Sequence, residues 1–142
     1  MNEQLHGIIE PVIDADAITF WEGVAARRLL VPTCLGCGTA FLPPLPCCPT
    51  CQSEMIEHVE AEGTGQLYSW VVMRRALDPA YADAVPYVVA AVELTERARI
   101  FSRLVNIDID DPLALVAGMA LRLVFVDING RAMWAFEPAG SP

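Results

Sequence analysis

The residues best suited to chemistry are four cysteines arranged as two Cys-x-x-Cys pairs. Cys34 and Cys37 form the first pair, and Cys48 and Cys51 form the second after a gap of ten residues. Each such turn directs two sulfurs to one point, and two facing turns make a tetrahedral cage that suits zinc, with Zn–S distances near ~2.3 Å. Zinc is favoured, but iron stays open because it binds the same four thiolates. A site closed by four thiolates leaves no position for water, which predicts a structural role.

Neighbouring residues refine this prediction. Gly38 follows the first pair, where the turn often requires a positive φ that glycine adopts without steric cost. Pro49 has a fixed φ and stiffens the second pair. Cys47 would have to leave the cage for Cys48 to enter. We expect Cys47 to be a spare thiol rather than a ligand or a nucleophile, because no Arg or Lys lies between residues 29 and 73 to activate it.

The distribution of cysteines also bears on the compartment. All five cysteines lie within residues 34–51, whereas a disulfide framework would spread them along the chain. The N-terminal sequence MNEQLHGIIEPVIDADA has neither a basic region nor a long apolar region, so we expect no signal peptide. No apolar run reaches the ~18 residues of a membrane span. The sequence therefore predicts a soluble, cytoplasmic protein with reduced thiols.

The charge of the chain limits its partners. The 142 residues carry a net charge of −9. An acidic chain is a poor general binder of nucleic acid, although Arg74 and Arg75 form a local basic pair. His6 and His58 have no convincing Ser, Cys or Asp constellation, and no phosphate-binding glycine-rich loop is present. The sequence does not predict an enzyme that acts alone.

The N-terminal region contains one predicted helix. Residues 1–15 show no period and are predicted to be an extended arm, whereas residues 17–28 place apolar side chains on one helical face. Thr19-x-x-Glu22 has the spacing of a capping box. For Phe20-Trp21 we favour packing against the next domain over a lip above a ligand or a docking surface.

The cysteine region is framed by irregular segments. Leu29–Thr33 is a short apolar run before the first pair. The segment 41–46 has three prolines in four residues, which predicts an extended crossing between the pairs. Glu54–Glu62 is predicted to be a polar, acidic connection.

After Gly63-Thr-Gly65 the pattern indicates a small Greek-key barrel of the OB type. Asn129-Gly130 predicts a two-residue type I′ hairpin turn, and residues 113–118 are predicted to form one helical turn. Aromatic residues on these strands can stack on a nucleic-acid base, but core or interface packing is the favoured role for Tyr68, Trp70 and Tyr87. The five predicted strands are Leu67–Arg74, Tyr87–Leu94, Ile100–Ile107, Met119–Ile128 and Arg131–Glu137.

Several short motifs together resemble one known family. They are Phe20-Trp21-Glu22-Gly23, Leu29-Leu30, Cys34-x-x-Cys37-Gly38, Phe41-x-Pro43-Pro44, Cys48-Pro49-x-Cys51, Gly65-x-Leu67-Tyr68-Ser69, Pro86-Tyr87 and Gly118-Met119. This order resembles domain-of-unknown-function family thirty-five, the acyl-CoA-associated proteins. The resemblance implies a mainly β fold: an N-terminal arm and helix (1–29), a rubredoxin-like zinc ribbon (30–62) and a five-stranded OB-fold barrel (63–142). The turn after Leu94 usually bears glycine in this family, whereas here it reads Glu96-Arg97-Ala98-Arg99.

The resemblance also implies a function. Members look like non-catalytic accessory subunits or acyl-CoA-binding proteins that partner thiolase-like enzymes or hot-dog-fold hydratases in lipid, sterol or polyketide metabolism. If acyl-CoA binds, Arg74 and Arg75 are the candidates for its phosphates. The alternative is a nucleic-acid-binding protein, since zinc ribbons and OB-folds both commonly serve that role.

Overall fold

The computed structural model describes residues 10–140 and is built mainly from strands. One short α-helix, α1, precedes two sheets: a two-stranded sheet and a closed five-stranded barrel. This architecture confirms the predicted fold class. The elements in order are α1 (Ile18–Ala25), β1 (Leu30–Cys34), β2 (Ile56–Glu60), β3 (Thr64–Met73), β4 (Tyr87–Leu94), β5 (Arg99–Leu104), β6 (Ala120–Ile128) and β7 (Arg131–Pro138).

Helix α1 is shorter than the helix predicted over residues 17–28. A 3₁₀ turn, Ala15–Ala17, leads into it, and no side chain caps its N-terminus, so the predicted capping box is wrong. The helix ends because Arg27 has a φ of 60°. The next backbone N–H, that of Arg28, then donates to the carbonyl of Gly23 at 2.8 Å, which is the hydrogen bond of a Schellman motif. This ending turns the chain directly into β1.

The ribbon sheet pairs the segments on either side of the cysteine pairs. β1 runs antiparallel to β2, with Leu30 opposite Glu60 and Cys34 opposite Ile56. The prediction of a connection over Glu54–Glu62 is therefore wrong for its central part. The strand Ile-Glu-His-Val-Glu has no strong β pattern, because it is charged and largely solvent-exposed.

The barrel has the strand order β3-β4-β5-β7-β6 and closes where β6 pairs with β3. Its neighbours are antiparallel except for β5 and β7, which pair in parallel at Leu104 and Phe136. β5 ends before the predicted limit of Ile107. Residues 113–118 form turns instead of a helix, and carboxylates of Asp108 and Asp111 accept backbone hydrogen bonds in this loop.

Two barrel hairpins depend on left-handed backbone. Asn129 and Gly130 have φ values of 52° and 78° between Ile128 and Arg131, which confirms the type I′ turn. In the turn between β4 and β5, Arg97 has a φ of 66°. An arginine therefore adopts a conformation that glycine adopts without steric cost.

One buried cluster joins the helix, the ribbon and the barrel. Phe20 and Val24 of α1, together with Val31 of β1, belong to the same apolar cluster as the barrel residues Leu67 and Phe136. No helix in residues 10–140 is long and apolar enough to cross a membrane.

Candidate metal centre and its flanking surfaces

The structure brings the four predicted ligand sulfurs together at the end of the ribbon. The Sγ atoms of Cys34, Cys37, Cys48 and Cys51 all lie within 4.8 Å of one another. The Sγ–Sγ distances are 3.6 Å for Cys34 to Cys51 and 3.6 Å for Cys37 to Cys48. A tetrahedron with metal–sulfur bonds of ~2.3 Å has edges of about 3.8 Å, so this donor set fits a four-thiolate metal ion.

The two cysteine turns share one backbone pattern. The N–H of Gly38 donates to the carbonyl of Cys34, and the N–H of Gln52 donates to that of Cys48, each at 2.9 Å. The residue after each pair has a positive φ, 77° at Gly38 and 64° at Gln52. Gly38 therefore has the backbone conformation that the sequence predicted, whereas Gln52 adopts it without being glycine.

Backbone N–H groups surround the sulfurs and favour the thiolate form. Gly36 N–H donates to Cys34 Sγ and Thr50 N–H donates to Cys48 Sγ, each at 3.3 Å. The N–H of Cys37 is the main cause of a lowered pKa at Cys34, and that of Cys51 lowers the pKa of Cys48. Thiolates are the form that binds metal, so the turns prepare the site before an ion arrives.

The pKa values of the remaining two thiols show that the four sulfurs affect one another's ionisation. The hydroxyl of Thr39, 3.1 Å from Cys37 Sγ, contributes most to the lowered pKa of Cys37. At Cys51 the backbone N–H of Ser53 lowers the pKa, but the sulfurs of Cys34 and Cys37 outweigh it and raise the pKa to about 12. Four thiolates in one cage repel one another, and a divalent cation removes that repulsion.

Thr39 and the backbone donors were not predicted from the sequence. The only available signal was the Cys-x-x-Cys-Gly turn itself, which implies N–H groups directed at sulfur. Cys47 is half-buried and lies outside the four-sulfur group. His58 lies on β2, where it faces Pro32 across the ribbon sheet. His6 falls outside residues 10–140.

The barrel residues singled out from the sequence occupy different environments. Trp70 packs against the core cluster, which confirms packing for this residue. Tyr68 is exposed, with the guanidinium of Arg99 3.7 Å from its ring centroid, and Tyr87 is half-buried beneath Arg103 at 4.1 Å. Arg74 and Arg75 are exposed in the segment directly after β3.

Helix α1 joins the barrel through an aromatic cluster. Phe20 is buried, which confirms packing, and its ring centroid lies 5.4 Å from that of Trp134 on β7. Trp21 is half-buried and also lies 5.4 Å from Trp134. Beside Trp21, an open groove of about 310 Å³ is lined mainly by apolar residues: Ile13, Ile18, Trp21, Val24, Ala25 and Ala132.

The fold and the cysteine site define a zinc-ribbon protein with an OB-fold barrel. Two family models match consecutive parts of the chain, the ChsH2 rubredoxin-like zinc ribbon domain over residues 21–57 and the ChsH2 C-terminal OB-fold domain over residues 58–126. The chain is also 33% identical over 112 residues to a DUF35 domain-containing scaffold protein of Methanothermobacter thermautotrophicus, covering 78% of this chain and 81% of that protein. The chain belongs to the DUF35 family.

Two longer relatives are named as hydratase alpha subunits. Over 91% of this chain, it is 45% identical to a probable enoyl-CoA hydratase alpha subunit of Thermomonospora curvata. Over 92% of this chain, it is 31% identical to the 3-oxo-4,17-pregnadiene-20-carboxyl-CoA hydratase alpha subunit of Mycobacterium tuberculosis. The chain spans 39% and 40% of the lengths of these two relatives.

Solved structures give the same architecture. A chain of the structure titled Ltp2-ChsH2(DUF35) aldolase is 39% identical and superposes with a TM-score of 0.81, over 92% of this chain and all of that one. A DUF35 protein of unknown function from Sulfolobus solfataricus is 15% identical, with a TM-score of 0.62 over 87% of this chain and 85% of that one. The second likeness concerns the fold alone.

Proposed function

We propose that this chain is an accessory subunit that binds an enzyme acting on CoA thioesters. The observation that carries the proposal is the match to the DUF35 chain of the Ltp2-ChsH2 aldolase structure, which extends over all of that chain. The relationship to two hydratase alpha subunits supports the same chemical class of substrate. The partner is a thiolase-like enzyme, an aldolase or a hydratase, and its substrates belong to lipid or sterol metabolism.

The metal of the ribbon is zinc in this proposal. Four thiolates in a tetrahedron bind zinc or iron, and the ribbon family is named for zinc. Cys34, Cys37, Cys48 and Cys51 would hold the ion, and a closed four-cysteine site supplies structural stability. Metal analysis of protein purified without added metal should give one zinc per chain. One equivalent of iron, with a visible thiolate-to-iron absorption band, would show that the bound ion is iron and not zinc.

Co-expression tests the accessory role. The tagged chain is expressed in turn with the source organism's homologues of the Ltp2 aldolase, of thiolase and of enoyl-CoA hydratase. We expect one of these enzymes to co-elute with the chain in a fixed ratio during size-exclusion chromatography with light scattering at about 0.15 M salt. Separate elution of the chain from every enzyme would contradict the proposal.

Direct binding of acyl-CoA is a second step of the same proposal. Arg74 and Arg75 are exposed after β3 and supply two neighbouring guanidinium groups for phosphate oxygens. Calorimetry with acyl-CoA should show binding that weakens in the double variant Arg74→Gln, Arg75→Gln. Arg122→Gln on β6 is a control for the loss of one arginine elsewhere on the barrel; it also removes the ion pair with Glu137, so its fold is checked by circular dichroism. No heat at near-millimolar acyl-CoA would rule out direct binding by the chain alone.

The alternative of nucleic-acid binding has a separate test. The net charge of −9 opposes it. A salt-dependent shift of single-stranded DNA or RNA at low-micromolar protein would favour this alternative over an accessory role.

A further inference from the structure

The outer face of strands β3, β4 and β5 carries adjoining apolar side chains, here called the outer patch: Val71, Val89, Ala91 and Phe101. The strand register places Val71 opposite Val89, and Ala91 opposite Phe101. On β4, the alternate residues Val88, Ala90 and Val92 are fully buried inside the barrel. Since successive side chains of a strand point to opposite faces, the outer patch points away from the core.

The outer patch departs from the pattern of a solvated sheet. An antiparallel sheet with one face in water normally alternates apolar with polar residues, but β4 is apolar on both faces at Val89 and Ala91. Phe101 is 73% exposed and Val71 is 55% exposed. Between them on β4, Val89 is half-buried and Ala91 is buried, so Phe101 and Val71 are the exposed parts of the outer patch. Large apolar side chains exposed on one sheet face are typical of an interaction surface.

Stacked arginines border the outer patch. Arg103, which lies opposite Val89, stacks on the ring of Tyr87 at 4.1 Å. Arg99 stacks on Tyr68 at 3.7 Å and pairs with Glu93 at 3.0 Å. Each guanidinium lies flat on a ring and keeps its positive charge beside the outer patch, where Glu93 is the carboxylate paired with Arg99.

Charge complementarity identifies the occupant. The chain as a whole carries −9, yet β5 presents Phe101 between two arginines at Arg99 and Arg103. We propose that the outer patch binds a segment of the partner enzyme that combines apolar side chains with carboxylates, an inference that rests on the proposed function. Apolar side chains of this segment cover Phe101 and Val71, and its carboxylates meet the arginine border.

The experiment uses the full chain and the enzyme that co-elutes with it. Phe101→Ser and Val71→Thr alter the outer patch, whereas Leu113→Ser and Val116→Thr are matched controls on the loop between β5 and β6. The controls are as exposed as their counterparts, Leu113 at 80% and Val116 at 54%. All four positions are solvent-exposed, so each variant should keep the circular dichroism spectrum of the wild type.

Affinity for the enzyme, measured by biolayer interferometry, decides the outcome. We expect Phe101→Ser to weaken binding by roughly tenfold or more, Val71→Thr to weaken it less, and both controls to stay within about twofold. Arg103→Gln should also weaken binding and reduce its salt dependence, whereas Arg122→Gln on β6 should not.

Several results would overturn the inference. If the wild type binds the enzyme and Phe101→Ser binds equally well, the outer patch is not the contact, while the proposed function stands. If no enzyme binds the wild type, the proposed function and this inference fail together. Concentration-dependent dimers abolished by Phe101→Ser would assign the surface to a second copy. Single-stranded RNA binding abolished by Phe101→Ser would assign it to nucleic acid.

Discussion

The ribbon and the barrel reach stability by different means. The ribbon has two strands and a few buried side chains, such as Val31 and Phe41, and its four sulfurs come from 18 residues of chain. A two-stranded sheet alone is marginal in water, so the ribbon depends on its metal. The barrel closes through pairings between distant strands around residues such as Leu121 and Phe136. A local metal site and a long-range core should therefore respond to different perturbations.

The largest expected effect is loss of the metal. Cys34→Ser, or removal of the ion by a chelator, should unfold residues 30–55 and loosen α1 while the barrel persists, because structural zinc contributes roughly 10–16 kcal/mol in small zinc domains. Hydrogen exchange measured by mass spectrometry should show a large loss of protection in residues 30–55, a smaller loss in α1 and no change in the barrel strands. Cys47→Ser is the matched control, since its thiol lies outside the cage. Unchanged protection of the ribbon after metal removal would contradict the comparison.

A cavity in the barrel should destabilise the barrel and leave the ribbon and its metal in place. Leu121 is fully buried, and Leu121→Ala should reduce the free energy of unfolding by about 2–5 kcal/mol. The change is measured as a lower denaturant midpoint of the barrel, with metal content unchanged under native conditions. Leu113→Ala, at an exposed position, should stay within about 0.5 kcal/mol. Metal release coincident with barrel unfolding would show that the two regions unfold as one unit.

Glycine substitutions at residues with a positive φ test the ribbon and the barrel separately, with a smaller expected effect. Gln52→Gly in the ribbon and Arg97→Gly in the barrel should each raise the free energy of unfolding by about 1 kcal/mol. Both residues have a positive φ, which glycine adopts without steric cost. The first should slow hydrogen exchange around the second cysteine pair, and the second should raise the melting temperature of the barrel. Gln52→Ala and Arg97→Ala, which keep a Cβ, should give no such gain.

The smallest effect concerns acid stability of the barrel. Hydrogen bonds from Arg122 and Asn106 lower the pKa of Glu137 from its ordinary value of 4.5. Since the folded-state pKa is the lower one, this stabilisation is present above pH 4.5 and is lost as pH falls towards the folded-state pKa. Glu137→Gln should therefore lower the denaturant midpoint at neutral pH and have less effect in acid. Glu57→Gln on the ribbon is the control, because it also removes one negative charge. An equal change of the denaturant midpoint in both variants would contradict the stabilising role of Glu137.

The same division explains what the sequence could predict. The cysteine pairs and Asn129-Gly130 are local signals, and each spans a few residues whose spacing dictates the turn. Strand β2 was missed because its partner β1 lies more than twenty residues earlier in the chain and its own residues are mostly charged and exposed. The outer patch could not be predicted from the sequence for a related reason. The apolar run Tyr87–Leu94 showed that β4 is apolar on both faces, but only the strand register places Phe101 beside it.

The aromatic contact between α1 and β7 has an optical consequence. The indole rings of Trp21 and Trp134 lie 5.4 Å apart and are tilted by 48°. We expect two indoles this close to exchange excitation energy and to give a paired positive and negative band in circular dichroism. That signal depends on the helix resting against the barrel, and it disappears if α1 detaches. The chain thus contains its own spectroscopic reporter of helix docking, which needs no added dye and can be followed while metal is removed or an enzyme is added.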